Sequence, residues 1–196
     1  YIISHDLKSP LRAINGLSNI LLTEYSENWQ SEPKELLQHI IQNSHNMGLL
    51  IQHVIDFAKL GKTTLVKVQV DMQEMVETLV RQLQPGTTAR FEVQLLHPAN
   101  GDATLLQQVW QHLLDNAIKF SRNNPAAQIT IGSTIQDGEA TYFVRDNGCG
   151  FDMAYSNKLF GVFQRLHNPH EFSGAGIGLA TVKRIIQRHH GRIWAQ

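Results

Sequence analysis

Residues 102–121, DATLLQQVWQHLLDNAIKFS, form the stretch that decides the fold. Apolar side chains recur every three or four residues along it, which is the spacing of one helix face. This period predicts a long helix that packs on a core through one apolar stripe. The predicted stripe contains Leu106, Val109, Leu113, Ala117 and Phe120.

A second face of the same helix is polar and carries His112, Asp115, Asn116 and Lys119. Residues three and four apart share a helix face, so these side chains should lie together. The carboxamide oxygen of an asparagine suits Mg²⁺, and a lysine one turn later suits phosphate oxygens. Taken alone, the pattern is more typical of an ordinary solvated helix face.

Strands and helices alternate on both sides of this helix, beginning after GKTT at 61–64. This alternation, with a mostly antiparallel group of strands and helices on one face, predicts an α/β sandwich. QDGE at 136–139 predicts the turn between its last two strands. The predicted strands cover 65–70, 90–96, 128–135 and 140–146, and the other predicted helices cover 71–83 and 176–190.

The first third of the chain has a different pattern, with two long amphipathic helices separated by SENWQSEP at 26–33. The second helix carries an almost heptad stripe from Leu37 to Ala58. A lone hairpin cannot enclose two such stripes, so we expect two copies to form a four-helix bundle. The predicted fold class is therefore α+β. Residues 1–62 form the dimeric hairpin and residues 63–196 form the sandwich.

The composition excludes several classes of function. Lysine plus arginine and aspartate plus glutamate both number 17, so net charge indicates neither nucleic acid nor a membrane surface as partner. A single cysteine, Cys149, cannot form an intramolecular disulfide, and no apolar run approaches the ~20 residues of a spanning helix. These two features indicate a cytoplasmic protein. We also expect a fragment of a longer protein, because the chain starts in mid-pattern without methionine or a signal peptide.

SHDLKSPL at 4–11 places His5 beside Asp6, away from the apolar stripe of the first helix. Pro10 crowds the carbonyl of Asp6, so the helix should bend beside an exposed histidine. A neutral imidazole is a nucleophile near pH 7, and a neighbouring carboxylate orients one ring nitrogen and stabilises the developing positive charge. A solvated helical histidine with a chance neighbour explains the same residues without chemistry.

RDNGCGFD at 145–152 places Asp146 at the end of a predicted strand. Its carboxylate suits the exocyclic amine of a base such as adenine, and Gly148 and Gly150 would let the backbone approach a flat ring. An Asn-Gly pair is also the commonest signature of a simple hairpin turn, so both interpretations stay open at this point.

SGAGIGLATVKRII at 173–186 sets three glycines, Gly174, Gly176 and Gly178, at the start of a helix, where free N–H groups bind phosphate. A dinucleotide-binding fold is excluded because Leu179 stands where its third glycine belongs and no clear strand precedes the loop. A P-loop is excluded because no Gly-Lys-Ser/Thr follows.

LFGVFQRLHNPHEF at 159–172 suits a mobile lid over a ligand. Phe160 and Phe163 would anchor the lid, and Arg165 would reach a terminal phosphate. A short amphipathic helix is the alternative. The paired histidines nearby lack further ligands at a suitable spacing for zinc.

Five stretches, in this order, resemble the catalytic region of sensor histidine kinases, especially phytochrome-like and hybrid kinases. SHDLKSPL resembles the H box and LLDNAIKFS at 113–121 the N box. DNGCGFD at 146–152 resembles the G1 box, LFGVFQRLH at 159–167 the F box, and GAGIGLA at 174–180 the G2 box. The resemblance covers nearly the whole chain. It implies a phosphoacceptor hairpin followed by an ATP-binding domain of the gyrase, Hsp90 and histidine kinase type.

The resemblance also implies roles for particular residues. His5 would be the phosphoacceptor, Asp6 its general base, and Arg165 a γ-phosphate contact. Asn116 would bind Mg²⁺, and Asp146 would read adenine. The implied set of nucleotide contacts is Asn116, Lys119, Phe120, Asp146, Gly148, Gly150, Gly174, Gly176, Gly178 and Leu179.

The implied activity is phosphorylation of His5 from Mg-ATP, followed by transfer to an aspartate of a response-regulator receiver domain. The implied partners are a second copy of the chain, that receiver domain, and an N-terminal sensor domain outside this stretch. We expect no nucleic acid and no direct membrane contact. An inactive dimeric adaptor for a receiver or another kinase is the alternative, and a gyrase-type or Hsp90-type ATPase is disfavoured because it would not need the His5 hairpin.

Three departures from the family pattern bear on these roles. His112 stands where the family often has an asparagine one turn before Asn116, although Mg²⁺ prefers oxygen ligands. Ser9 stands where a threonine or asparagine often supports phosphatase activity. The chain stops at GRIWAQ, where relatives usually continue into another strand.

Overall fold

The computed structural model describes residues 2–24, 29, 31–61, 64–164, 166, 171–172 and 176–196, with only the backbone for residues 2–10, 31, 32 and 157. The chain forms two compact units, Tyr1–Lys62 and Thr63–Gln196. The functional roles expected of these two units stay predictions at this stage. Within the described ranges, no helix has both the length and the apolar character needed to cross a membrane.

The first unit is a helical hairpin in which α1, Ile2–Glu24, packs against α2, Ser31–Leu60. Helix α1 continues through Pro10, and the bend expected there stays a prediction. The buried hydroxyl of Ser44 donates to the carbonyl of Leu11 across the hairpin at 2.9 Å. Much of the predicted apolar stripe is nevertheless solvent-exposed in a single hairpin. The exposed stripe residues are Ile14, Leu17, Leu21, Ile40, Met47 and Val54.

In its described residues, the second unit contains two small sheets and three α-helices. Its elements, in chain order, are β1 Val68–Val70, α3 Met72–Leu83, β2 Arg90–Val93, β3 Ala99–Gly101, α4 Ala103–Ser121, β4 Gln128–Gln136, β5 Glu139–Asp146 and α5 Gly178–Arg188. Short 3₁₀ turns occupy Gln84–Gly86 and Met153–Lys158.

The strands pair in a mixed pattern. β1 and β3 are antiparallel, and β4 lies between β2 and β5 in the larger sheet. β4 and β5 are antiparallel, whereas β2 and β4 are parallel, because the chain between them crosses over through β3 and α4. β3 was not predicted, and the strand predicted to reach residue 96 ends at Val93.

The core of the second unit lies between the sheet and helices α3 and α4. Ile129 and Ile131 alternate inward on β4 and are completely buried, as is Leu114 on α4. The predicted stripe of α4 is wrong at two positions, because Leu113 and Phe120 are only partly buried. The buried residues of α4 are instead Leu105, Leu106, Val109, Trp110, Leu114, Ala117 and Ser121.

The predicted QDGE turn is confirmed as a two-residue hairpin between β4 and β5. Asp137 and Gly138 both have positive φ, at 53° and 80°, which is the conformation that matches the twist of antiparallel strands. This turn fixes the register in which Gln136 faces Glu139 and Ile129 faces Asp146. Asp146 is thereby held at the end of the sheet.

Candidate functional site

The polar face of α4 is present as predicted from the sequence. Asn116, Lys119 and His112 are each partly buried, and Asp115 is exposed and accepts a hydrogen bond from Gln111 Nε2 at 2.9 Å. The Lys119 Nζ atom lies 4.3 Å from the centroid of the Phe120 ring, which holds the ammonium close to the helix end. An amide oxygen and a cation therefore lie one turn apart on one face.

The turn after β5 packs directly against the carboxyl end of α4. The backbone N–H of Cys149 donates to the carbonyl of Phe120 at 3.2 Å. A Cβ atom on Gly148 would lie 2.5 Å from that same carbonyl oxygen, closer than real contacts allow. Glycine at 148 is therefore required by the approach of α4, a reason that the sequence did not suggest.

Asp146 and Asn147 are fixed by this turn. The N–H of Gly148 donates to Asp146 Oδ1 at 3.0 Å, while the carboxylate remains exposed. The Asn147 side chain accepts from the N–H of Gln128 at 2.8 Å and donates to the carbonyl of Ala126 at 2.9 Å. The simple hairpin interpretation of Asn-Gly is wrong, because the chain continues into the 3₁₀ turn Met153–Lys158 instead of a strand.

An open cavity of about 470 Å³ lies beside this turn. Gly150, at a φ of 62°, forms part of its wall, and a Cβ there would meet no neighbour within 4 Å. Burial raises the pKa of the Cys149 thiol, and the carboxylates of Asp146 and Glu171 add to this effect. Such a thiol is a poor nucleophile at neutral pH. The residues lining the cavity are Cys149, Gly150, Phe151, Asp152, Tyr155 and Leu166.

Helix α5 begins beside the polar face of α4. Gly178 is its first residue, and a Cβ atom on Gly178 would lie 3.5 Å from Nδ1 of His112. The side chain of the preceding residue, Ile177, does not cap the helix. The amino-terminal N–H groups and the positive end of the helix dipole therefore lie next to His112, in the arrangement that favours anions. Leu179 in the first turn is partly buried.

Gly176 lies against the segment that was predicted to form a lid. Its φ is 67°, and a Cβ there would lie 2.8 Å from the carbonyl oxygen of Gln164. The N–H of Phe163 donates to the Gly176 carbonyl at 2.8 Å. The ring of Phe163 is 56% exposed, so its backbone, and not the predicted burial of its ring, makes this contact. Phe160 is partly buried.

The contact made by Phe172 was missed from the sequence. Phe172 is only 6% exposed, and its ring centroid lies 5.1 Å from that of Phe120. Arg122 stacks on the Phe172 ring at 5.1 Å, and its guanidinium donates to the carbonyl of Glu171. This cluster connects residues 171–172, which precede the glycine-rich stretch at 173–186, to the carboxyl end of α4. No local pattern reveals it, because the two aromatic residues are far apart in sequence.

Asp102 joins three parts of the second unit. Its carboxylate accepts from the N–H groups of Leu105 and Val66, each at 3.1 Å, and its own N–H donates to Nε2 of His189 at 2.9 Å. Burial opposes ionisation, but hydrogen bonds from Val66, Leu105 and Thr104 lower the pKa of this carboxyl. An aspartate directly before an apolar run is a known pattern for a helix cap. No sequence pattern indicated the contact of Asp102 with His189.

For four of the predicted site residues, the structure describes either the backbone alone or nothing. His5 and Asp6 lie on α1, where only the backbone is described, and Arg165 and Gly174 lie outside the described residues. Among the remaining ones, the structure places the Gly148 turn and the start of α5 each against α4, the first at Phe120 and the second at His112. The roles expected of all these residues stay predictions.

Comparison with known families finds a match in each of the two units. Residues 1–63 match the family described as the His Kinase A (phospho-acceptor) domain. Residues 101–196 match the family described as Histidine kinase-, DNA gyrase B-, and HSP90-like ATPase. The chain belongs to the sensor histidine kinases. The resemblance seen in the five motifs and the predicted fold class, a helical hairpin followed by an α/β domain, are both confirmed.

Individual kinases agree with this assignment. Cyanobacterial phytochrome A of Nostoc sp. is 33% identical over 199 residues, which cover 100% of this chain and 26% of that protein. The structure of full-length ShkA in complex with AMPPNP shares the fold, with a TM-score of 0.67 and 22% identity over 100% of this chain and 42% of that one. The complex of histidine kinase ThkA with response regulator protein TrrA gives a TM-score of 0.64 and 18% identity, covering 98% of this chain and 55% of that one.

Proposed function

We propose that this part of the kinase transfers the γ-phosphoryl group of Mg-ATP to His5 and then to a response-regulator aspartate. The observation that carries the proposal is the meeting of three elements in the second unit. The Gly148 turn packs against the carboxyl end of α4, and α5 begins beside His112 on the polar face of the same helix. The chain spans about a quarter of the phytochrome relative, at 26%, so the activity of the whole protein is part of the proposal.

The residues of the second unit fit a nucleotide with its ion. Asn116 offers an amide oxygen, the ligand type that Mg²⁺ prefers, and Lys119 offers a positive charge one turn away. When bound, Mg²⁺ supplies charge neutralisation to the phosphates. The exposed carboxylate of Asp146 accepts a hydrogen bond from the adenine amine. Phe120, Leu179 and the glycines Gly148, Gly150, Gly174, Gly176 and Gly178 complete the proposed nucleotide contacts.

The proposed reaction transfers one phosphoryl group and one proton, each from a named donor to a named acceptor. A ring nitrogen of His5 forms a bond to the γ-phosphorus as the bond to the β-phosphate bridging oxygen breaks, and ADP leaves. Asp6 orients the imidazole and accepts the proton that the other ring nitrogen releases. Arg165 stabilises the charge on the transferred group. In the second transfer an aspartate oxygen of the receiver attacks the phosphorus, the N–P bond breaks, and the imidazole takes back the proton held by Asp6 and leaves as a neutral group.

We infer a homodimer from the exposed face of the hairpin. Leu17 is 64% exposed and Met47 is 52% exposed in a single copy, and covering such side chains is worth about 25 cal/mol per Å² of apolar area. The match to the phosphoacceptor family and the ThkA complex with a response regulator support a second copy and a receiver domain as partners. A sensor domain outside this stretch and a cytoplasmic location complete the proposal.

Labelling with γ-³²P-ATP and Mg²⁺, followed by a test of acid lability, decides whether phosphohistidine forms. His5→Gln should bind nucleotide normally and remain unlabelled. The matched control is His39→Gln, which removes an exposed histidine of α2 and should label like the natural sequence. Undiminished labelling of His5→Gln would show that the acceptor is wrong.

Nucleotide binding is tested separately, by titration with a fluorescent ATP analogue. Asp146→Asn should weaken binding by about tenfold, because a charged acceptor is replaced by a neutral amide. Glu139→Gln, at the other end of β5, is the control and should bind normally, because its exposed ion pair with Arg192 contributes little. An inactive adaptor, which is not favoured, would bind no Mg-ATP or would bind it without labelling His5.

A further inference from the structure

His112 is the residue of the α4 polar face that the proposed function leaves without a role. It lies one turn before Asn116, and the inner edge of its partly buried ring lies beside the start of α5. The ring atoms nearest to the Cβ position of Gly178 are Nδ1, at 3.5 Å, and Cγ, at 3.8 Å. Nε2 therefore belongs to the side of the ring that faces away from Gly178.

The spacing of His112 and Asn116 suits a shared ion. Side chains four residues apart on a helix converge on one point, as the two histidines of a helical zinc site do. Among the described residues, no three His, Cys, Asp or Glu side chains cluster closely enough to hold a metal. The protein would thus supply two donors here, one nitrogen and one amide oxygen, and the nucleotide phosphates and water would supply the others.

We propose that His112 is a second protein ligand, through Nε2, for the divalent ion that binds with the nucleotide. The inference rests on the proposed function, because the ion arrives with a triphosphate. Mg²⁺ is confined largely to oxygen ligands, whereas first-row transition ions accept imidazole nitrogen. This site therefore favours Mn²⁺ over Mg²⁺ more strongly than the same site with asparagine at 112.

Pulsed electron paramagnetic resonance on the whole chain with Mn²⁺ and AMPPNP tests the bond directly. An imidazole bound directly to Mn²⁺ modulates the spin echo at the frequencies of its nitrogen nuclei. Labelling histidine with ¹⁵N shifts these frequencies, whereas the adenine nitrogens remain ¹⁴N, so the two sources of nitrogen can be distinguished. We expect the isotope shift in the natural sequence and its loss in His112→Asn. The isotope measurement needs no substitution, so it does not depend on how a variant folds.

The control is His190→Asn, at the opposite end of α5. His190 is exposed and has a φ of 64°, a conformation that asparagine tolerates. This variant should keep the nitrogen modulation. It should also keep the preference for Mn²⁺, measured as the ratio of AMPPNP dissociation constants with Mg²⁺ and Mn²⁺. His112→Asn should lower that ratio by about tenfold, since even outer-shell partners of metal ligands contribute that much.

The outcomes separate this inference from the proposed function. If Mn²⁺ and AMPPNP bind together without histidine modulation, His112 is not a ligand, and the nucleotide site stands. A weakened but metal-independent affinity in His112→Asn would likewise overturn the inference, because it would indicate a phosphate contact. If AMPPNP does not bind with either ion, the proposed function and the inference both fail.

Discussion

Gly148→Ala is the substitution for which the structure gives the sharpest expectation. An added methyl group would lie 2.5 Å from the carbonyl oxygen of Phe120 and 2.8 Å from Oδ1 of Asp146. Neither atom is the flexible end of a long side chain. The turn after β5 must therefore move away from the carboxyl end of α4.

The cost follows from the contacts that this movement breaks. The hydrogen bond from Cys149 to Phe120 is already 3.2 Å long, and the bond from Gly148 to Asp146 is 3.0 Å. Each bond contributes about 1 kcal/mol, and residual strain in the turn adds up to about 1 kcal/mol more. We expect the free energy of unfolding to fall by roughly 2–3 kcal/mol, which lowers the Tm by about 4–12 °C in a chain of this size.

Two assays test this expectation, thermal unfolding followed by circular dichroism and titration with a fluorescent ATP analogue. Affinity for the analogue should fall by about tenfold or more, because Asp146 loses its fixed position. The matched control is Gly86→Ala, where no atom lies within 4 Å of the added methyl group, so the Tm should stay within a few degrees. Equal stability and equal affinity in the two variants would refute the packing argument.

Three further substitutions probe contacts of the second unit. Asp102→Ala should lower the free energy of unfolding by about 1 kcal/mol by urea denaturation, because a helix cap is lost. The folded state lowers the pKa of Asp102. The stability difference between the natural sequence and Asp102→Ala should therefore have its full size above the unfolded-state pKa of 3.8 and should disappear as the pH falls through the folded-state pKa. A stability difference that does not change with pH would contradict this expectation. Phe172→Ala should cost about 3 kcal/mol, because the ring is buried against Phe120, and a loss below about 0.5 kcal/mol would contradict that packing. Ser121→Ala should raise the urea midpoint slightly, because the buried hydroxyl has no hydrogen-bond partner among the described residues; a lower midpoint would contradict this expectation.

The sequence predicted the elements that have strong periodicity. The α4 helix, both helices of the hairpin and the QDGE turn follow from local spacing and turn chemistry, and the structure contains all of them. Strand β3, Ala99–Gly101, is too short to show alternation. The parallel pairing of β2 with β4 depends on how the chain crosses over, which no local pattern states. Leu113 and Phe120 were wrongly assigned to the buried stripe because α4 packs against α5 as well as against the sheet, and residue spacing does not show which positions these contacts bury.

The candidate site was predicted as a set of residue types, and the contacts between them were not. The polar face of α4 follows from helical spacing, but its proximity to Gly178 depends on how α4 and α5 pack. Gly148 was expected for contact with a ligand, whereas the structure shows that the approach of Phe120 already requires it. The Phe120–Phe172 and Asp102–His189 contacts join residues that are distant in the chain, so only the folded structure reveals them.

The most direct test of the central claim is to locate the transferred phosphoryl group by mass spectrometry. The protein is incubated with Mg-ATP and digested at alkaline pH, where phosphohistidine survives, and the peptides are fragmented by electron transfer. We predict a mass increase of one phosphoryl group on the peptide containing SHDLKSPL, localised to His5. Phosphorylation of a different residue, or steady release of inorganic phosphate from ATP with no modified histidine, would contradict the proposed mechanism.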